Sequence, residues 1–183
     1  MGQKYPELSE KHIEFISQQK LFFVGTATGD SRVNISPKGM DSFRIINSKR
    51  VVWLNVTGSG NETAAHIQST PRMTIMFFAL EGAPLILRLY GRATVIHPAD
   101  PEWQTLQARF PPLPGARQIF DLEVELVQSS CGMAVPYFSY QGDRDLLSNW
   151  ATQKRDEGIK AYWAEKNQFS IDGIPTHIIK QGG

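Results

Sequence analysis

The sequence has very little cysteine: Cys131 is the only one among 183 residues. No disulfide can form within the chain, and such cysteine usage is typical of a reducing compartment. We therefore expect a cytoplasmic protein held together by an apolar core. A free cysteine most often behaves as a small buried hydrophobe rather than as a nucleophile, and we expect this of Cys131.

The chain also lacks an excess of charge of either sign, since 19 Lys and Arg residues balance 18 Asp and Glu residues and no basic block occurs. The electrostatic footprint of nucleic-acid binding is therefore missing. No apolar run is long enough to span a bilayer, and the polar residues 1–10 do not resemble a secretory signal. The four histidines are scattered without the spacing of metal ligands. The sequence predicts no membrane partner, no nucleic-acid partner and no metal.

The remaining pattern predicts one domain over residues 1–183. An N-terminal helix is expected at about residues 9–19, a barrel at about 21–130 and a C-terminal helical segment at about 143–167, with a possible break at Gly158. Short β-rich runs joined by polar turns favour an antiparallel, closed barrel over alternating βαβ units. Gly91 within a long run suggests a bulge, and Pro37 is expected to end the second strand.

The most informative stretch is a strand, a loop and a helix start within residues 51–67. The loop contains Gly58 and Gly60, and the helix that follows presents free backbone N–H groups and the positive end of the peptide dipole. Four neutral donors surround this point: Thr57, Ser59, Asn61 and Thr63. The pattern is consistent with a phosphate-binding cradle, although tight turn geometry and N-capping alone would also explain it. It is neither a P-loop nor a dinucleotide fingerprint.

Four segments occur in a distinctive order: residues 22–27, 33–39, 53–72 and 130–136. In this combination the chain resembles the pyridoxamine 5′-phosphate oxidase-like family of FMN-binding split barrels, over roughly residues 12–166. The resemblance is to short members of the family rather than to the authentic vitamin B6 enzyme. It implies a mainly β fold with flanking helices, a six-stranded antiparallel split barrel. It also implies a homodimer with FMN sites at the subunit interface.

The resemblance also implies which residues hold the cofactor. The cradle residues named above would contact the phosphate, and Lys38 would supply the cation. The other implied contacts are Ser36 and Pro37 beside the ring and phosphate, Trp53 and Leu54 on the flanking strand, and Cys131, Gly132 and Val135 reaching the ring from the partner subunit.

Three departures from the family pattern bear on activity. The authentic oxidase has an Arg-Lys pair where this chain has Glu62 and Thr63. Met133 and Ala134 replace the Tyr and Gly of close relatives, and the oxidase's substrate-binding His and Arg have no evident equivalents in residues 173–183. Oxidation of pyridoxamine phosphate is therefore not expected.

The first functional hypothesis is an FMN-dependent oxidoreductase acting on an unknown small molecule, with an electron donor such as NAD(P)H. No side chain stands out as its general acid or base. The alternative is a dimer that binds flavin, haem or deazaflavin without turnover; for haem, His66 and His177 are the candidate axial ligands. A cofactor-free structural dimer is the third hypothesis, and Glu62 beside the cradle favours it.

Overall fold

A computed structural model of the protein describes residues 2–179, so Met1 and residues 180–183 of the predicted domain lie outside the described part. Eight strands and four helices follow one another along the chain. In order they are β1 (Gln3–Tyr5), α1 (Glu10–Gln18), β2 (Phe22–Thr26), β3 (Asn34–Lys38), β4 (Phe43–Asn47), β5 (Arg50–Val56), α2 (Glu62–Ser69), β6 (Arg72–Phe78), β7 (Ile86–Ile96), α3 (Trp103–Gln107), β8 (Ala116–Ser130) and α4 (Leu146–Lys166).

All eight strands belong to one antiparallel sheet, in the order β3-β2-β6-β7-β8-β5-β4, with β1 paired to β8 beside this path. The predicted class, mainly β with flanking helices in a split-barrel arrangement, is confirmed. Two details differ from the prediction. The strand count is eight rather than six, and within residues 2–179 the end strands β3 and β4 do not pair, so the sheet is open rather than closed. The polar, three-residue β1 carries no strand signal of its own.

Several local signals are confirmed. Ser9 caps α1 through a capping box with His12. Gly91 marks a register shift between β7 and β8, and a Cβ atom there would lie 1.8 Å from the Glu123 carbonyl oxygen. No residue but glycine fits so close a backbone approach, which explains the position of the bulge.

Two expected breaks lie elsewhere. Pro37 does not end β3 but pairs with Phe23 inside it. This is possible because β3 is an end strand of the sheet. One side of such a strand has no neighbour, so the N–H that proline lacks is not needed for a bond between strands. The C-terminal helix is interrupted at Arg155, with φ 56° and ψ 173°, rather than at Gly158.

Strand β5 separates two apolar clusters. Trp53 faces the larger one, which lies between the sheet and helices α1 and α2, and its ring stacks on Phe120 with centroids 4.8 Å apart. Leu54 faces the smaller cluster, with Trp103 and Leu106 of α3. Because both faces are covered, β5 is a rigid support for the loop that follows it. No helix within residues 2–179 combines the length and the apolar character needed to cross a membrane.

Candidate functional site

A cleft of about 270 Å³ lies where β5 ends and α2 begins. The ends of β3, β5 and β8 form its walls, and the start of α2 forms its rim. Its lining residues are Asn34, Ser36, Lys38, Trp53, Asn55, Val56, Gly58, Ser59, Gly60, Asn61, Glu62, Thr63 and Arg117. The cleft is therefore the place where the predicted phosphate cradle meets the end of the second strand of the β2–β3 hairpin.

The loop between β5 and α2 is fixed by side chains from distant parts of the chain. The Thr57 hydroxyl donates to the Gly115 carbonyl and accepts from Trp163 Nε1, each at 2.8 Å. Asn61 occupies the N-cap position of α2, yet its side chain makes no capping bond and Nδ2 donates to the Asn167 carbonyl at 3.3 Å. The helix start is thus held in place by α4 and the residues after it, which leaves its first N–H groups without a side-chain cap.

Arg117, on β8, is buried beneath this loop, with 3% of its surface exposed. Its guanidinium donates to Asn167 Oδ1 at 2.8 Å and to the Gly60 carbonyl at 3.1 Å. Asn167 Nδ2 in turn donates to the Gly58 carbonyl at 3.0 Å. Arg117 Nε has no hydrogen-bond partner among the residues that the structure describes. The two side chains therefore fix the loop from below while one buried donor stays available.

Lys38 is the second cation of the cleft. Its Nζ lies 5.0 Å from the ring centroid of Trp53, a cation–π distance. Burial, and then the charge of Arg117, lower the pKa of Lys38 to about 8, and burial lowers the pKa of Arg117 to about 10. Among residues 2–179, neither cation has a carboxylate within salt-bridge distance. Two like charges in one cleft, of which Arg117 lowers the pKa of Lys38, form a site suited to a bound anion.

Glu62 contributes the one negative charge of the lining, and it is held away from these cations. Both of its carboxylate oxygens lie 3.1 Å from the backbone N–H of Ile171, in the segment after α4. Within residues 2–179, Glu62 forms no salt bridge with Lys38 or Arg117. The acidic residue therefore binds the C-terminal segment instead of neutralising the cleft.

The structure brings together six of the predicted site residues in this cleft: Ser36, Lys38, Trp53, Ser59, Asn61 and Thr63. Three others lie nearby without lining it. Pro37 is exposed, Leu54 packs into the smaller apolar cluster, and the Thr57 hydroxyl is already bonded behind the loop.

The predicted residues Cys131, Gly132 and Val135 do not line the cleft of their own chain. They follow β8, and Gly132 lies against the connection between β6 and β7, where a Cβ on it would be 3.0 Å from the Leu85 nitrogen. The expected burial of Cys131 is wrong, since this side chain is exposed. It stands directly after Ser130, where the strand pairing of β8 ends. Contact between this segment and a cofactor in a partner subunit stays a prediction.

Sequence reasoning missed three residues that shape the site: Asn34, Arg117 and Asn167. Asn34 Nδ2 donates to Thr63 Oγ1 at 3.2 Å and so ties β3 to α2. In the sequence of β8, the alternation of apolar and polar residues begins only at residue 119. Arg117 therefore lies outside the pattern that indicates a strand. A charged residue directly before a long buried strand was the available signal. Asn167 offered none, because it acts only through contacts across 50 or more positions of sequence.

Residues 8–131 match the family model described as pyridoxamine 5′-phosphate oxidase. The chain is similar to the pyridoxamine 5′-phosphate oxidase family protein ustO of Aspergillus flavus, with 32% identity over 189 residues that cover 93% of this chain and 76% of that protein.

Two solved structures show a similar fold. A Lactobacillus delbrueckii protein named for pyridoxamine 5′-phosphate oxidase aligns with a TM-score of 0.54 and 20% identity, covering 67% of this chain and 94% of its own. HupZ of Group A Streptococcus aligns with a TM-score of 0.51 and 20% identity, covering 65% of this chain and 91% of its own. At this identity the likeness concerns the fold alone.

Proposed function

The chain belongs to the pyridoxamine 5′-phosphate oxidase family, and on that premise we propose that its cleft binds the phosphate group of flavin mononucleotide. The observation that carries the proposal is the pair Lys38 and Arg117, two cations that face one cleft and form no salt bridge within the described part of the chain. A phosphate monoester is close to a dianion at neutral pH, so its charge matches theirs.

The polar atoms of the cleft fit such a ligand. Ser36 Oγ and Arg117 Nε are buried donors without partners, and buried donors in native proteins are almost always satisfied. Phosphate oxygens would accept from both, as well as from the uncapped first turn of α2. Lys38, Arg117 and the start of α2 would thus hold the phosphate, with Ser36, Ser59 and Thr63 as neutral donors around it.

The size of the cleft bears on where the flavin ring would lie. Ligand pockets that enclose a drug-sized molecule measure about 300–1,000 Å³, and this cleft measures about 270 Å³. It accommodates the phosphate tail, so the ring needs further surface outside it. That surface would come from a second copy of the chain, as in a homodimer with shared cofactor sites.

Exposed apolar side chains support the homodimer. In β3, Ile35 is 68% exposed, and in the segment after β8, Met133, Tyr137 and Phe138 are exposed by 60% or more. Clusters of this kind commonly mark protein interfaces. A partner that covers them would also bring its residues 131–136 toward the cofactor.

We propose that the protein is an oxidoreductase acting on a small molecule, for which bound flavin would supply hydride or electron transfer. The residues of the cleft bind and orient the cofactor and exclude water from its phosphate. A non-catalytic flavin-binding dimer is the alternative. One observation favours it: the only carboxylate that lines the cleft, Glu62, already accepts from the Ile171 N–H.

The first experiment is the absorbance spectrum of the purified protein, followed by calorimetric titration with FMN. We expect flavin absorbance or saturable binding of one FMN per chain, and no such binding would refute the proposal. Replacing Lys38 by Met should weaken binding by about 1.5–3 kcal/mol, the value of a charge-assisted hydrogen bond. Lys11→Met, at an exposed position of α1, is the matched control and should bind normally. Bleaching of bound flavin by NADH or NADPH would then separate an enzyme from a carrier.

A further inference from the structure

A second group of chemically capable side chains lies on α2, one turn away from the cleft. Glu62 and His66 are four residues apart and therefore share one face of the helix. Asp172 reaches the same point from the segment after α4. One potential ligand atom from each of the three lies within 4.8 Å of the other two, and no other such group of His, Cys, Asp and Glu occurs within residues 2–179.

His66 is the residue that singles out this cluster. It is fully buried, with 0% of its surface exposed, and its Nδ1 lies 3.1 Å from Thr26 Oγ1. Its other ring nitrogen, Nε2, is buried and has no hydrogen-bond partner within residues 2–179. An unpaired buried nitrogen is unfavourable and rare, and ligation of an ion would satisfy it.

Each of the three side chains also has an outer partner that orients it. Thr26 contacts His66, the Ile171 N–H contacts Glu62, and the Arg32 backbone N–H donates to Asp172 Oδ2 at 2.9 Å. The Arg32 guanidinium also pairs with Asp172. Metal ligands are typically held by such an outer shell of hydrogen bonds, which fixes their direction. Each carboxylate has about four lone-pair sites, so these bonds leave room for an ion.

We propose that Glu62, His66 and Asp172 bind one divalent transition-metal ion. One imidazole nitrogen and two carboxylate oxygens suit Zn²⁺ and its first-row neighbours, whereas Ca²⁺ and Mg²⁺ prefer oxygen ligands alone. The two carboxylates balance the charge of the ion, and water would complete the coordination.

An ion would draw the three ligand atoms closer together. Zn–N and Zn–O bonds of about 2.0–2.2 Å place two ligand atoms of a tetrahedral ion roughly 3.5 Å apart. The cluster spans up to 4.8 Å, so it would close by roughly 1 Å on binding. Asp172 lies in the segment after α4, outside regular secondary structure, and is the ligand best placed to move.

The site is independent of the proposed flavin function, but Glu62 connects the two. An ion here would join the start of α2 to the segment after α4 and would neutralise the carboxylate that lines the phosphate cleft. Metal binding would therefore stabilise the fold around the cleft whether or not flavin is bound.

The test uses the full chain, first stripped with a chelator and then titrated with Zn²⁺ by calorimetry. We expect one equivalent to bind, a rise in melting temperature with Zn²⁺, visible absorption bands when Co²⁺ is added instead, and little response to Ca²⁺ or Mg²⁺. Absence of binding, or an equal response to Ca²⁺, would overturn the proposal.

Two isosteric variants, Glu62→Gln and Asp172→Asn, test the assignment of the ligands. Each keeps an oxygen that accepts the same backbone N–H, so both should fold, and circular dichroism checks this. Each substitution removes the negative charge of one proposed ligand. Loss of an outer-shell partner alone typically lowers metal affinity at least about tenfold, so each variant should bind Zn²⁺ at least that much more weakly and should show no rise in melting temperature. Glu14→Gln, an exposed acid on α1, is the control and should bind Zn²⁺ normally. Wild-type affinity in both variants would show that the ion binds elsewhere and would refute the site.

Discussion

The loop between β5 and α2 and the segment that follows β8 are both predicted to contact one cofactor, yet the chain packs around them in opposite ways. In the loop, Thr57 and Asn61 are 1% and 2% exposed, whereas Met133 and Tyr137 in the segment are 82% and 80% exposed. The loop is bonded to β8 and α4, whereas the segment approaches the β6–β7 connection at Gly132. On the proposed function, the loop half of the site forms within one chain, and the segment after β8 would reach a cofactor only in a partner subunit.

The largest effect is expected from breaking the loop half. Arg117→Met removes a buried guanidinium that carries contacts to Asn167 and Gly60 and faces the cleft. Charge-assisted hydrogen bonds contribute about 1.5–3 kcal/mol each, so FMN affinity should fall roughly a hundredfold or more. Calorimetry measures the affinity. Arg109→Met, at an exposed position, is the control, and a folded Arg117→Met protein with unchanged affinity would contradict the assignment.

The proposed contact with a partner subunit is tested by Ile35→Asp. A charge in the proposed apolar interface should dissociate the proposed homodimer and weaken FMN binding about tenfold, with little change in the stability of the monomer. Light scattering and an FMN titration on the same sample measure both effects. Leu146→Asp introduces the same charge at a side chain that is 75% exposed, and should leave the dimer intact. A monomeric wild-type protein that binds FMN fully would contradict the shared site.

A pH series probes the cations inside the cleft. The pKa of Lys38 is lowered from 10.5 to about 8, chiefly by burial. Lys38 is thus charged below pH 8 and loses its proton above it, while the phosphate is already a dianion. FMN affinity should therefore be highest near neutral pH and fall severalfold as the pH rises through about 8 to 9. Lys38→Arg keeps its charge throughout and should remove this decline, and the same decline in both proteins would assign it to another group.

The smallest effect is expected behind the loop. Trp163→Phe removes the bond from the indole Nε1 to Thr57 Oγ1 and leaves the aromatic ring. The free energy of unfolding should fall by about 1 kcal/mol, the net value of a neutral hydrogen bond. Trp150→Phe is the matched control in the same helix, since Trp150 contributes an edge contact to Tyr162. An equal free energy of unfolding for the two variants, measured in urea, would show that the bond to Thr57 does not stabilise the fold.

Sequence reasoning reached those features whose cause is local. The short apolar runs and polar turns predicted the β-rich region at about residues 21–130 and the first helix at about 9–19, because period and capping are written in neighbouring residues. Pro37 misled the prediction, since whether proline ends a strand depends on whether that strand lies at a sheet edge, which is a property of the whole sheet.

Only part of the site could be predicted from the sequence, for the same reason. The cradle residues lie together in sequence, and Lys38 is only a short distance upstream of them. Arg117 and Asn167 approach the loop from other elements, and no periodic pattern records a contact between positions so far apart. The cluster of Glu62, His66 and Asp172 shows the same limit: the helical pair is legible, but its third member is 106 positions beyond His66.

The side chain of Asn167 has a consequence for how this fold can be altered. It lies one residue past the end of α4, and its amide accepts from Arg117 and donates to the Gly58 carbonyl. Truncating the protein before Asn167 would leave the Arg117 guanidinium with loop carbonyls as its acceptors. The loop between β5 and α2 would also lose its hydrogen bond from the Asn167 side chain. The last helix is thus an inseparable part of the barrel, and a graft that transplants the strands to another scaffold must carry it along.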